Sequence, residues 1–139
     1  MDCVECEGVY IYALEIPTRD KFSCQECAML HAEFRCELCD FETNTFVTGY
    51  IPEIPYHLIF QDERTFEFRI VFCEMPPNEK VRRMSNSDFE QMIAALVAEN
   101  RRPGETWLDD IDYVRNRTMR LHCPKCRELA VSFKALGII

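Results

Sequence analysis

Four cysteine pairs dominate the chemistry open to this chain. They are CVEC, CQEC, CELC and CPKC, at Cys3/Cys6, Cys24/Cys27, Cys36/Cys39 and Cys123/Cys126. A Cys-x-x-Cys turn aims both sulfurs at one point and leaves backbone amides free to hydrogen-bond them. Two such knuckles complete a tetrahedral thiolate site for zinc. Four pairs therefore predict two structural Zn²⁺ ions, and the 17 residues between Cys6 and Cys24 suit that spacing. The competing uses of paired thiols fit less well. A thioredoxin-like redox centre needs one such motif beside a βαβ pattern, which is absent. A disulfide framework belongs to secreted chains. An iron–sulfur cluster or a single metal remains as the other metal-based use. The ninth cysteine, Cys73, lies in the apolar run FRIVFC and reads as a buried core thiol.

His31 stands between the second and third pairs, four residues after Cys27. On a helix the two would share a face. The imidazole then either packs on the knuckle and hydrogen-bonds a thiolate, or replaces Cys24 as a ligand. His31-Ala32-Glu33 also matches the H-x-E of zinc deaminases, where the Glu moves protons for a metal-bound water. That chemistry requires P-C-x-x-C well downstream. Here Cys36 follows Glu33 by three residues without a proline, and Cys123 is preceded by His122, so deamination is set aside.

The elements that must position these thiols follow from patterning. VYIYALEI (residues 9–16) and the segment ending at Phe22 predict a hairpin, with residues 17–20 as its turn. A short helix is expected over residues 25–34. After Cys39 the pattern turns to strands: TNTFVTGYI, YHLIF and RTFEFRIVF, the last alternating Phe66, Phe68 and Ile70 with polar residues. Pro52, Pro55 and Pro76-Pro77 punctuate them. Ser87 with Glu90 predicts a capping box, opening a helix whose stripe is Phe89, Met92, Ile93, Leu96 and Val97. Pro103-Gly104 ends it. Thr106 is expected to cap a second helix bearing Trp107, Ile111 and Val114. Both stripes read as core, with a partner-binding groove as the alternative. ELAVSFKALGII is a final strand.

The expected class is α+β. A zinc-knuckle region (1–42) and a C-terminal knuckle and strand (121–139) pack together around an α+β insertion (43–120). Closing so long a loop costs entropy, and bound metal would offset several kcal/mol of it.

Composition bounds the partners. Hydrophobic residues make up 47%, ten of them Phe, enough for a folded core. No run approaches the roughly 18 apolar residues of a membrane span. The start MDCVECEG lacks the basic and apolar regions of a signal peptide, so an intracellular reducing compartment is expected. Net charge is −8, and residues 1–42 hold ten acidic against three basic side chains. A nucleic-acid binder shows a basic face, so duplex binding through that half is not expected. The exception is RNRTMRLHCPKCR, where Arg115, Arg117, Arg120, Lys125 and Arg127 occur without an acid. These cations screen the anionic thiolates, or they form a surface for an acidic protein partner or a phosphate backbone.

Enzyme signatures are missing. Three histidines and four glycines leave no H-E-x-x-H, no phosphate-cradling loop and no nucleophile elbow. A zinc held by four thiolates has no open position for water.

Four knuckles can be matched in three ways. Sequential matching joins Cys3/Cys6 to Cys24/Cys27 and Cys36/Cys39 to Cys123/Cys126. Interleaved matching joins Cys3/Cys6 to Cys36/Cys39 and Cys24/Cys27 to Cys123/Cys126. The interleaved set is the cross-brace of RING domains, which this chain resembles over about 50 residues. The likeness rests on the opening knuckle, Cys27 with His31, Cys36/Cys39 and the final CPKCR, and it favours the interleaved match. It departs in the four residues between His31 and Cys36, the extra thiol Cys24 and the 83 residues before the last pair. A treble-clef or ribbon core is the alternative architecture. A RING ubiquitin ligase would bind a conjugating enzyme through an apolar residue, a tryptophan and a basic residue. Of these only Arg127 is well placed, since Val4 lies inside its knuckle and Trp107 falls in the insertion. Taken whole, the chain resembles the small cysteine-rich RING/U-box-like proteins of baculoviruses associated with nucleocapsid assembly. That resemblance implies a non-enzymatic assembly protein in virion and host nucleus, contacting capsid proteins. Alternatives are a RING-type ligase and a zinc-ribbon accessory factor of transcription.

Overall fold

A computed structural model describes residues 30–51 and 54–138. The expected hairpin over residues 9–22 and the thiols Cys3, Cys6, Cys24 and Cys27 lie outside them. Among the described residues, seven strands and three helices follow in the order β1 (Leu30–Cys36), β2 (Phe46–Val47), β3 (Tyr56–Asp62), β4 (Phe68–Cys73), α1 (Asn78–Arg83), α2 (Asn86–Asn100), β5 (Glu105–Leu108), α3 (Asp110–Arg115), β6 (Leu121–His122) and β7 (Leu129–Ile138). They form a four-stranded sheet in the order β2-β1-β7-β6 and a three-stranded sheet in the order β4-β3-β5, antiparallel throughout. The mixture of helices and strands is the α+β class read from the sequence.

β3 explains how the layers stack. Side chains alternate across a strand, and YHLIFQD is filled on both faces. Tyr56, Leu58 and Phe60 pack with Val81, Phe89 and Ile93 of the helices, while Ile59 joins Phe34, Phe46, Tyr113, Val131 and Phe133 around the first sheet. Its neighbour β5 splits the same way, with Leu108 in the first cluster and Trp107 against the second. The second sheet is thus the middle layer, between the first sheet and α1 with α2. Phe34 is the hub of the first cluster, with the rings of Phe46, Phe68, Tyr113 and Phe133 all within 6.1 Å of its centroid.

Several expectations are corrected. Residues 30–34 are strand, not helix. LHAEFRC alternates apolar and polar residues, and Leu30, Ala32, Phe34 and Cys36 all turn into the core. The pull of β7 decides it, because β1 pairs with β7 from Leu30↔Ile138 to Cys36↔Val131. The helix expected from Ser87 is capped two residues earlier, by Ser85, whose hydroxyl accepts from the Asp88 amide at 3.0 Å. Its apolar stripe is core, as read. Thr106 caps nothing. Residues 105–108 complete the middle sheet, with Phe60↔Trp107 and Ile59↔Leu108 in register, and Asp109 caps α3 instead. TNTFVTGYI yields only the short β2, which stops before Gly49 at φ +70°. α1 was not foreseen, although Pro77 precedes it, Glu79 sits in its first turn and three basic residues sit in its last.

Candidate metal centre

The first knuckle follows directly from the end of β1, and the second fills the turn between β6 and β7. Both are built alike. The Cys36 amide donates to the Phe41 carbonyl and the Cys123 amide to the Glu128 carbonyl, each at 2.9 Å. Inside the turns, amides point at sulfur: Leu38 N to Cys36 Sγ at 3.4 Å, Lys125 N to Cys123 Sγ at 3.3 Å, Cys126 N to Cys123 Sγ at 3.4 Å. Arg127, just past the second knuckle, takes φ +69° and lets the chain leave into β7. The β1–β7 ladder brings the two turns together, and the Glu37 amide continues it by donating to the Ala130 carbonyl at 2.9 Å.

The sulfurs of Cys36, Cys39, Cys123 and Cys126 all lie within 4.8 Å of one another. Cys36 and Cys126 are 3.7 Å apart, and Cys39 and Cys123 are 3.5 Å apart. Bonds of about 2.3 Å to a tetrahedral zinc would set sulfurs about 3.8 Å apart. The donor set and its spacing therefore fit one zinc ion. These separations are far beyond a disulfide bond of about 2.05 Å. The surroundings of the thiols pull their ionisation in opposite directions. Burial opposes ionisation of Cys36, but the Leu38 and Cys39 amides and the neighbouring thiols outweigh it and bring the group down to about 7. At Cys39 a backbone hydrogen bond from Phe41 favours the thiolate, yet burial and the thiols of Cys123, Cys36 and Cys126 push it up to about 12. Four thiols so close cannot all ionise unaided. A divalent cation would supply the missing charge, and its binding would release protons.

This quartet is the sequential match. The interleaved expectation put Cys24/Cys27 against Cys123/Cys126, whereas Cys36/Cys39 occupy that place. Two adjacent antiparallel strands deliver the two knuckles, and no crossing of sites is needed for these four. Sequential matching would leave Cys3/Cys6 and Cys24/Cys27 as the second set, outside the described residues. His31 is exposed on β1 and is not part of the described quartet. Its neighbour in charge is His57, whose pKa is lowered by burial and then by His31. Cys73 is buried as expected, receiving a weak hydrogen bond from Asn100 Nδ2 at 3.6 Å.

The basic residues near the last knuckle are engaged within the chain. Lys125 pairs with Asp40 and Arg120 with Glu37, each joining one knuckle's neighbourhood to the other. Arg117 donates to the Val114 carbonyl at 3.0 Å and lies 5.0 Å from the Phe133 ring. Arg115 is half-buried on α3 beside a groove. Arg127, the expected conjugating-enzyme contact, sits 4.4 Å from the Phe66 ring and donates to the carbonyls of Arg64 and Thr65. Gln61 Nε2 donates to the carbonyls of Phe66 at 3.1 Å and His122 at 2.9 Å. Phe66 and Gln61 thus brace the second knuckle, and nothing local in the sequence announced it.

Comparison with protein-family profiles, with curated proteins and with solved structures finds no match to this chain, so its function is read from the site itself.

Proposed function

We propose that this chain is a non-enzymatic, zinc-stabilised scaffold that acts by making contacts with other proteins. The observation that carries the reading is the convergence of four cysteine sulfurs within 4.8 Å. Four thiolates close a zinc's coordination shell, so the ion holds the fold and offers no place for a reacting water. A second zinc on Cys3, Cys6, Cys24 and Cys27 belongs to the same proposal. The resemblance to the baculovirus assembly proteins supports a role in a viral nucleocapsid, with capsid proteins as partners and the host nucleus and virion as its places. Reduced thiols suit such an intracellular setting.

A second reading, a zinc-ribbon accessory factor of transcription, is favoured over a RING ligase by the pairing of the two knuckles from adjacent strands. The ligase reading is further weakened by Arg127, whose guanidinium is committed to Phe66 and two carbonyls. Metal analysis of natively purified protein, with cosedimentation on capsid particles, tests the main proposal. Absence of zinc removes the scaffold, and absence from the particles removes the assembly role. Recovery with an RNA polymerase would select the second reading.

A further inference from the structure

The outer edge of β4 offers an open place in the middle sheet. β4 pairs with β3 on one side and with no strand on the other among the described residues. The Asp62 amide donates to the Glu67 carbonyl at 2.9 Å. Hydrogen-bonded pairs recur at every second residue of an antiparallel ladder. Arg69, Val71 and Cys73 therefore turn their backbone groups to β3, while Phe68, Ile70 and Phe72 turn theirs outward.

The same three residues line a groove of about 400 Å³, whose other wall is Phe41 and the loop of residues 42–45. Phe72 is 64% exposed there. Glu42 and Glu67 stand on the groove, and no lysine or arginine lines it. Edge strands are normally guarded by a charge, a proline or a bulge. The one charge within β4, Arg69, is drawn to the other face by Glu105. Backbone groups, apolar footholds at alternate positions and an acidic rim are what an added strand uses.

We propose that the β4 edge and its groove bind an extended segment of a partner protein as an additional strand, one with alternating apolar side chains and lysine or arginine. The proposal rests on the scaffold reading and names its contact surface. A second copy of this chain is the poorer occupant. An antiparallel β4–β4 pairing would bring no free cation to Glu42 and Glu67, because Arg69, the one cation within β4, is held by Glu105.

The test is fluorescence anisotropy of zinc-loaded full-length protein with a labelled peptide of alternating lysine and valine, and with its glutamate–valine counterpart. Saturable binding of the basic peptide alone is expected, weaker at high salt. Glu67→Lys should weaken it about fivefold through the rim charge. Phe72→Pro should weaken it about tenfold or more, since it removes an outward amide and no ladder bond. Circular dichroism and zinc content of each variant establish that the fold persists. No binding, equal binding of the acidic peptide, or binding indifferent to both substitutions overturns the proposal. So does a dimer in sedimentation that Phe72→Pro dissociates. Zinc content measured on the same samples reports separately on the scaffold reading.

Discussion

The Phe66 ring stacks on the His122 imidazole with 4.5 Å between centroids and 14° between planes. That contact fastens the tip of the β3–β4 hairpin to the knuckle bearing Cys123. It also holds a bulky residue at φ +66°, in the left-handed region. Two opposed terms meet here. The left-handed backbone costs about 1–2 kcal/mol, while the ring contacts with His122 and Arg127 return about 1–2 kcal/mol together.

Substitution at Phe66 separates these terms. Phe66→Ala keeps the strain and loses the contacts, so it should destabilise by about 1–2 kcal/mol. Phe66→Gly loses the contacts but relieves the strain, and should fall close to the parent in stability. Urea denaturation of the zinc-loaded proteins measures both. If the glycine variant were the less stable of the two, the backbone strain would carry no weight.

Metal removal should be felt at the quartet and nowhere near Cys73. Cys36→Ser or Cys123→Ser is expected to lower bound zinc by one equivalent and the melting temperature with it. A chelator should do the same to the parent. Cys73→Ala should keep full zinc content, at a cost of about 1 kcal/mol for a buried thiol. A parent protein that holds one zinc in place of two would confine the metal to the described quartet.

Asp110 gives stability a pH dependence of unusual sign. It is buried, accepts from the Gly49 amide at 2.8 Å, and burial followed by the charge of Asp109 pushes its carboxyl up to about 7. The folded state therefore keeps a proton that the unfolded state loses near pH 4. This contribution is complete below pH 4 and is lost as pH rises to about 7, at up to about 1.4 kcal/mol per pH unit. Asp109, also raised by burial and then by Asp112, adds in the same direction. Asp110→Asn copies the neutral acid and keeps the acceptor for Gly49. It should be more stable than the parent at pH 8 and flatten the profile between pH 4 and 7. A stability difference, parent minus Asp110→Asn, that did not fall between pH 4 and 7 would contradict this.

Arg69 and Glu105 work the opposite way. Arg69 Nε and Nη2 meet both Glu105 oxygens at 2.8 and 2.6 Å, and Nη2 also reaches the Asn100 carbonyl at 2.6 Å. The guanidinium holds the Glu105 carboxyl below its ordinary range. That stability is present above the unfolded pKa of about 4.3 and is lost as pH falls through the folded value. Because Glu105 is buried, Glu105→Ala strands a partly buried cation and should cost about 2–3 kcal/mol. Arg69→Lys keeps the charge but loses the fork and should cost less. Chemical denaturation at pH 7 ranks the two.

The sequence by itself determined the donor set. Cysteines with two residues between them converge wherever their turn is built, because that geometry is local. The α2 stripe was legible for a similar reason, since Phe89, Ile93, Leu96 and Val97 recur at helical spacing whatever lies opposite. Only the tertiary structure decided which knuckles meet. Eighty-three residues lie between Cys39 and Cys123, and it is the β1–β7 ladder that brings their sulfurs to 3.5 Å. That ladder also made LHAEFRC a strand, and pairing with β3 made ETWL a sheet edge, because hydrogen bonds to a distant partner outweighed modest local preference. Phe66 against His122 and Arg127 was illegible for the same reason: a stacking contact has no period, and two surfaces must first be folded before they can touch.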